Sequence, residues 1–218
     1  MKILDAPSSG SQAGTTRSHN RFGQYARSRS IPVNPRSTQQ GVVRARLSTN
    51  AAGWRTLTAN QRAGWTDLGI SINRSDALGQ SYDLTGFLCY CMVNNNRSAA
   101  GDALLADAPG VITPVNILTA ILTLTAAAFS IAYTATPLAA ATRLFTYVSP
   151  QRSPGINFNG DFRLLAVSAA AAASPANVFA AYSAKFGVPV VGNKIFVAMR
   201  AYNGGFLSGA FTTNQVVA

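Results

Sequence analysis

From Ala108 to Thr142 the chain carries no charged residue. A run of that length is enough to cross a bilayer as a helix. It is interrupted by Pro109, Pro114 and Pro137, and its apolar residues alternate with Thr, Ser and Ala in I-L-T-L-T and F-S-I-A-Y-T. Proline inside a helix removes a donor and clashes with the preceding turn. Period-two alternation instead places one set of side chains on each face of a strand. The run is therefore expected to form strands and no membrane span. Comparable runs recur at about 117–124, 129–135, 143–149, 162–168, 194–202 and 206–217, separated by the turn formers T-P-L, S-P-Q-R-S-P-G, N-G-D, V-G-N-K and N-G-G. Short strands at that spacing suggest an antiparallel sandwich. One insertion reads as a helix: Ser174 as cap, Pro175 at the first position, Gly187 as stop, and Val178, Tyr182 and Phe186 four apart on one face.

The residues before Pro109 have helical features. Asn34-Pro35 is a cap followed by a first-turn proline, and a helix is expected from about Pro35 to Asn50 with Val42, Val43 and Leu47 buried. Thr58 and Gln61 form a capping box for a second helix. Trp54, Leu57, Trp65 and Leu68 are expected to fill the space between the two, with both tryptophans in the core. A turn-rich piece, I-N-R-S-D-A-L-G-Q-S, leads to a third helix at about Thr85–Asn96, with Gly101 as its stop.

The arginines are concentrated ahead of and within this helical part. Residues 17–62 hold nine arginines and no lysine, aspartate or glutamate, while the whole chain has 18 basic and 7 acidic residues for a net charge of +11. Residues 1–34 read as an extended basic arm: a Gly/Ser-rich start, then arginines interleaved with Phe22 and Tyr25, then I-P-V-N-P, where each residue before a proline is held extended. A basic balance predicts attraction to nucleic acid, an anionic surface or an acidic protein. The division expected is an arm over 1–34, a helical domain over 35–108 and a β-sandwich over 109–218: an α+β multidomain chain.

Catalytic chemistry has little to stand on in this composition. There is no glutamate, and His19, the single histidine, lies in the arm. General acid–base catalysis and a Ser–His–Asp set would both have to use it. Cys89 and Cys91, two apart in C-Y-C, read as buried small apolar residues, with too few partners to complete a metal site. G-V-P-V-V-G-N-K lacks the spacing and hydroxyl of a phosphate loop. The aspartates sit at turns and helix ends, where capping and pairing with arginine account for them. No catalytic residue, cofactor, metal or small-molecule substrate is expected.

Two resemblances add to this. The blocks N-R-F-G-Q-Y-A-R-S-R-S-I-P-V-N-P-R-S-T-Q-Q, W-R-T-L-T-A-N-Q-R-A-G-W and L-T-G-F-L-C-Y-C-M-V-N-N-N-R, over roughly residues 14–108, resemble an uncharacterised module of phage and prophage-like genes. That resemblance implies a virion-associated protein without assigned catalytic residues. Residues 109–218 resemble a fibronectin type III or immunoglobulin-like sandwich with an extra helix before its last strands. Together they lead to the expectation of a structural subunit of a phage-like particle, associated with capsid, neck or tail. It would be made in the host cytoplasm without a signal peptide, and it would dock on copies of itself or on other virion proteins. The residues expected at that contact are Arg17, Arg21, Phe22, Tyr25, Arg27, Arg29 and Arg36: arginine for carboxylates and carbonyls, the aromatics for surface grooves. The alternatives are nucleic-acid binding through the same arm, by phosphate contact and base stacking, and a surface adhesion or filament subunit.

Overall fold

The computed structural model describes residues 8–31, 33–34, 36–72, 74–76, 78–134 and 138–218. Pro35 and Pro137, expected at a helix start and in a turn, lie outside them. The chain divides into two compact units, Met1–Val42 and Val43–Ala218.

In the first unit, β1 (Gly10–Gln12), β2 (Thr15–Asn20) and β3 (Gly23–Ser28) form an antiparallel meander. Residues 10–28 thus correct the expectation of an extended arm without regular structure. The register pairs Arg17 with Ala26 and Ser18 with Tyr25, so polar residues occupy both faces. A strand with no apolar face has no hydrophobic period to read, which is why these strands were not visible in the pattern.

α1 (Thr38–Thr56) spans the boundary between the units. It starts where Ser37 and Gln40 exchange backbone-to-side-chain hydrogen bonds, not at Asn34. Its expected buried face is corrected as well: Val42, Val43 and Leu47 are 39, 62 and 50% exposed. The face that packs runs through Asn50, Gly53 and Trp54. Asn50 donates to Asn95 Oδ1 at 2.9 Å, and Trp54 rests on Phe87 and Tyr90 with ring centroids 5.8 and 5.6 Å away. A Cβ on Gly53 would stand 2.6 Å from the Tyr90 hydroxyl, so the glycine lets the two helices approach there.

α2 (Ala59–Ser71) opens on the expected capping box of Thr58 and Gln61. The turn-rich piece after it contains a small hairpin, β4 (Arg74–Ser75) and β5 (Ser81–Tyr82), that was not anticipated. α3 (Gly86–Ala100) is capped by Thr85 and ends at Gly101, whose φ of 78° is left-handed. Trp65 and Leu68 are buried with Cys89, Tyr90, Cys91 and Val93 in one cluster.

The expected strands follow as β6 (Thr119–Leu124), β7 (Phe129–Thr134), β8 (Arg143–Val148), β9 (Arg163–Val167), β11 (Lys194–Asn203), β12 (Phe206–Leu207) and β13 (Phe211–Val216). A short strand, β10 (Ala176–Asn177), and a helix, α4 (Phe179–Phe186), lie between β9 and β11. Ser174 does not cap α4. Its hydroxyl accepts from Tyr133 N–H, and β10 takes the place expected for the first helical turn. The Val178, Tyr182, Phe186 stripe does face the core.

The strands form two antiparallel sheets, β10-β7-β6 and β12-β11-β8-β9, with β13 also on β11. Leu122, Phe129 and Ile131 from the first share one core with Leu144, Val148, Ile195, Val197 and Met199 from the second. The architecture is α+β. β11 is buried on both faces, because Tyr202 and its neighbour Phe145 also pack with Ala100 at the end of α3. Asp102, two residues past that helix, accepts from Arg143 at 2.8 Å and from the Tyr202 hydroxyl. Arg143 also donates to Ala100 O, and Phe206 of β12 joins the cluster of α2 and α3. Among the described residues, no helix is long and apolar enough to cross a membrane.

Candidate partner interface

The residues expected at a partner contact come from the β1-β2-β3 meander and the segment after it. Adjacent strands keep paired residues on one face. By the observed register, Tyr25 and Arg27 share a face with Thr16 and Ser18, while Arg17 is on the other with His19 and Gln24. Arg21 and Phe22 form the β2–β3 turn, the guanidinium 4.6 Å from the ring centroid. Phe22 N–H is held by Asn20 Oδ1 at 2.9 Å, and its ring is 67% exposed. Arg29 lies just beyond β3, where its N–H extends the pairing by donating to Gly14 O. Arg36 sits apart near the start of α1, with a φ of 46° and its N–H on Asn34 Oδ1. The structure therefore brings Arg21 and Phe22 together, and Tyr25 with Arg27, but distributes the set over both faces and one tip.

What fixes the meander is polar and local. Gln24 donates to Ser8 O and Ser8 Oγ at 2.9 and 2.6 Å, Arg17 reaches the same hydroxyl at 3.4 Å, and the Ser11 and Thr16 hydroxyls lie 2.9 Å apart. No described residue from 8 to 42 is buried. That stretch also holds five arginines and no acid.

Elsewhere, acids are already in use. Asp161 is shared by Arg152 and Arg163, and Asp102 by Arg143 and Tyr202. Asp107 accepts from Gln61, and Asp76 closes a turn by accepting from Leu78 and Gln80 N–H. These are the pairing and turn roles expected of them.

The groups with the most altered acidity are buried ones moved away from reactivity. Burial pushes the Cys89 thiol up to about 11, with the Arg74 charge pulling weakly the other way. Cys91 is raised by burial too. Burial takes the Tyr182 phenol to about 12, and Tyr202 is raised by burial and then by its bond to Asp102. A thiol held protonated is a poor nucleophile. Among the described residues, no group of three His, Cys, Asp or Glu could hold a metal ion.

No family model, curated protein or solved structure matches the chain.

Two arginines outside the expected set line a groove within residues 43–218. Arg74 belongs to the β4–β5 hairpin and Arg200 to β11. The signal for Arg200 was in the sequence: it is the one charge inside I-F-V-A-M-R-A-Y. Arg74 lies in the turn-rich piece and had no comparable mark.

Proposed function

We propose that this protein is a non-enzymatic structural subunit of a phage-like particle that docks on neighbouring subunits through its arginine-rich meander. One observation carries the reading: residues 10–28 form a three-stranded meander yet bury no side chain. Three strands need an apolar face or a packing partner to be stable, and the meander has no apolar face. A neighbouring surface that supplies carboxylates and carbonyls would match Arg21, Arg27 and Arg29 and cover Phe22 and Tyr25. The resemblance of residues 14–108 to phage-like modules supplies the particle. The raised thiols and phenols fit a protein without a nucleophile to activate.

The sheets support the finer reading of residues 109–218 as an immunoglobulin or fibronectin type III-like sandwich. Numbered in order from β6, the first, second and fifth strands make one sheet. The third, fourth, sixth and seventh make the other, with β12 and β13 together as the seventh. That division corresponds to strands A, B and E facing C, C′, F and G. α4 occupies the connection between the fifth and sixth.

Light scattering tests the docking. The full chain is expected to self-associate or to bind a particle protein, and a variant with Arg17, Arg21, Arg27 and Arg29 all changed to Gln is expected to be monomeric. A full chain that stays monomeric at high concentration removes the homotypic version. Tight DNA binding that falls steeply between low and moderate salt would instead favour the nucleic-acid reading.

A further inference from the structure

A groove of about 770 Å³ runs between α3, the 111–116 segment and the β11–β12 edge. Its walls are held by two side-chain amides: Asn96 donates to Gly205 O at 2.8 Å, and Asn116 Oδ1 accepts from Gly209 N–H at 3.1 Å. Met92, Ile112, Pro114 and Phe206 supply apolar lining; Arg74 and Arg200 supply the charge, and no carboxylate lines it. Arg200 is half-buried on the outward face of β11, with no ion pair to any described residue. A partly desolvated guanidinium without a carboxylate is costly unless a ligand provides one. Asp161, the single acid after residue 109, is shared by Arg152 and Arg163, and Asp102 is bound by Arg143 and Tyr202.

We propose that this groove binds an extended acidic peptide segment of a partner protein, one carboxylate held by Arg200 and Arg74 and the neighbouring apolar side chains set against Met92 and Ile112. Guanidinium forks match carboxylates in two parallel hydrogen bonds. A nucleic acid would want a longer track of cations and exposed rings for stacking; here the charge is confined to two arginines, and Phe206 is buried. The partner segment is not the meander of another copy, which has five arginines and no acid over residues 8–42. The site is therefore independent of docking through the meander.

Calorimetric titration of the full chain tests it with a capped peptide, acetyl-Leu-Asp-Leu-Asp-Leu-amide, and the same peptide with Asn for both Asp. The acidic peptide is expected to bind at least tenfold more tightly, Arg200→Gln to remove that preference, and Arg200→Lys to retain part of it. Arg74→Gln, at an exposed position, keeps the test open if the β11 variants fold poorly, and is expected to weaken binding several-fold. Arg27→Gln is expected to leave it unchanged, which separates this site from the meander. Equal binding of the two peptides, or full binding by Arg74→Gln and Arg200→Gln, would overturn the proposal. So would a single-stranded oligonucleotide that binds more tightly than the acidic peptide and loses its affinity on Arg200→Gln.

Discussion

β3 and β11 are both antiparallel strands with an arginine among them, yet they are held in place by opposite means. β11 is covered on both faces, by the shared core of the two sheets on one side and by Phe145, Tyr202 and Ala100 on the other. β3 is covered on neither: Arg27 and Ser28 are exposed, and Gln24, Tyr25 and Ala26 are only half-buried. Hydrogen-bonded pairing is common to the two, so pairing alone does not distinguish structure that stabilises from structure that needs a partner. Burial does, because the net worth of a backbone hydrogen bond is small beside the removal of apolar surface from water.

The sharpest way to break this contrast is to remove one large ring from each side. Trp65 is fully buried, stacks edge-on against Tyr90 at 5.2 Å and donates its indole N–H to Ala106 O. Trp65→Ala is expected to cost about 3–5 kcal/mol in urea unfolding followed by circular dichroism. Phe22→Ala, at the meander tip, is expected to change stability by no more than about 0.5 kcal/mol while weakening association. A Phe22→Ala variant as unstable as Trp65→Ala would mean that the meander is part of the folded core.

The next effect concerns how the helices and the larger sheet are joined. Gly205, in the β11–β12 turn, has a φ of 106°, and a Cβ there would lie 2.5 Å from Val93 Cγ1. Its carbonyl accepts from Asn96. Gly205→Ala combines backbone strain with a collision against α3, and is expected to destabilise by about 2 kcal/mol, the middle of the range for residues forced into sparse backbone regions. Adding Val93→Ala relieves the collision, so the double variant should lose less than the sum of the singles. Strict additivity in thermal unfolding would mean that this contact does not hold the helices to the sheet.

Legibility in the sequence followed the same division. The strands of 117–217 could be read because inward and outward residues differ in polarity, and Thr58, Thr85, Gly101 and Gly187 marked helix ends because caps depend on local chemistry. The packed face of α1 could not, because it is built from Asn50, Gly53 and Trp54 while Val42, Val43 and Leu47 stay outside. Only the position of Tyr90 and Asn95 on α3 decides between those faces. Strands β1 to β3 escaped for want of any apolar period. Of the candidate contact residues, the sequence placed all in one stretch but not their division between two faces, which follows from the register of β2 against β3. The groove of Arg74 and Arg200 joins residues far apart in the chain, and only the docking of α3 on the β11–β12 edge brings their surroundings together.

A smaller effect than that of Gly205→Ala tests the joint between helices and sheet without creating a cavity. Tyr202 donates to Asp102, whose other oxygen is held by Arg143. The phenol is raised by burial first and by Asp102 second, so the folded chain holds that proton more tightly than the unfolded one. The unfolded state loses it first, near the ordinary tyrosine value of about 10. The stabilisation is therefore fully present below that pH and declines as pH rises above it. Tyr182, raised to about 12 by burial alone, contributes to the same decline. Tyr202→Phe is expected to cost about 1 kcal/mol at neutral pH, the worth of one hydrogen bond, and to make the loss of stability above pH 10 shallower, read from urea midpoints at a series of alkaline pH values. An unchanged alkaline slope would place the pH-sensitive contact elsewhere among the buried tyrosines, and would leave Arg143 and Asp102 as a pair that fixes position without depending on the phenol between them.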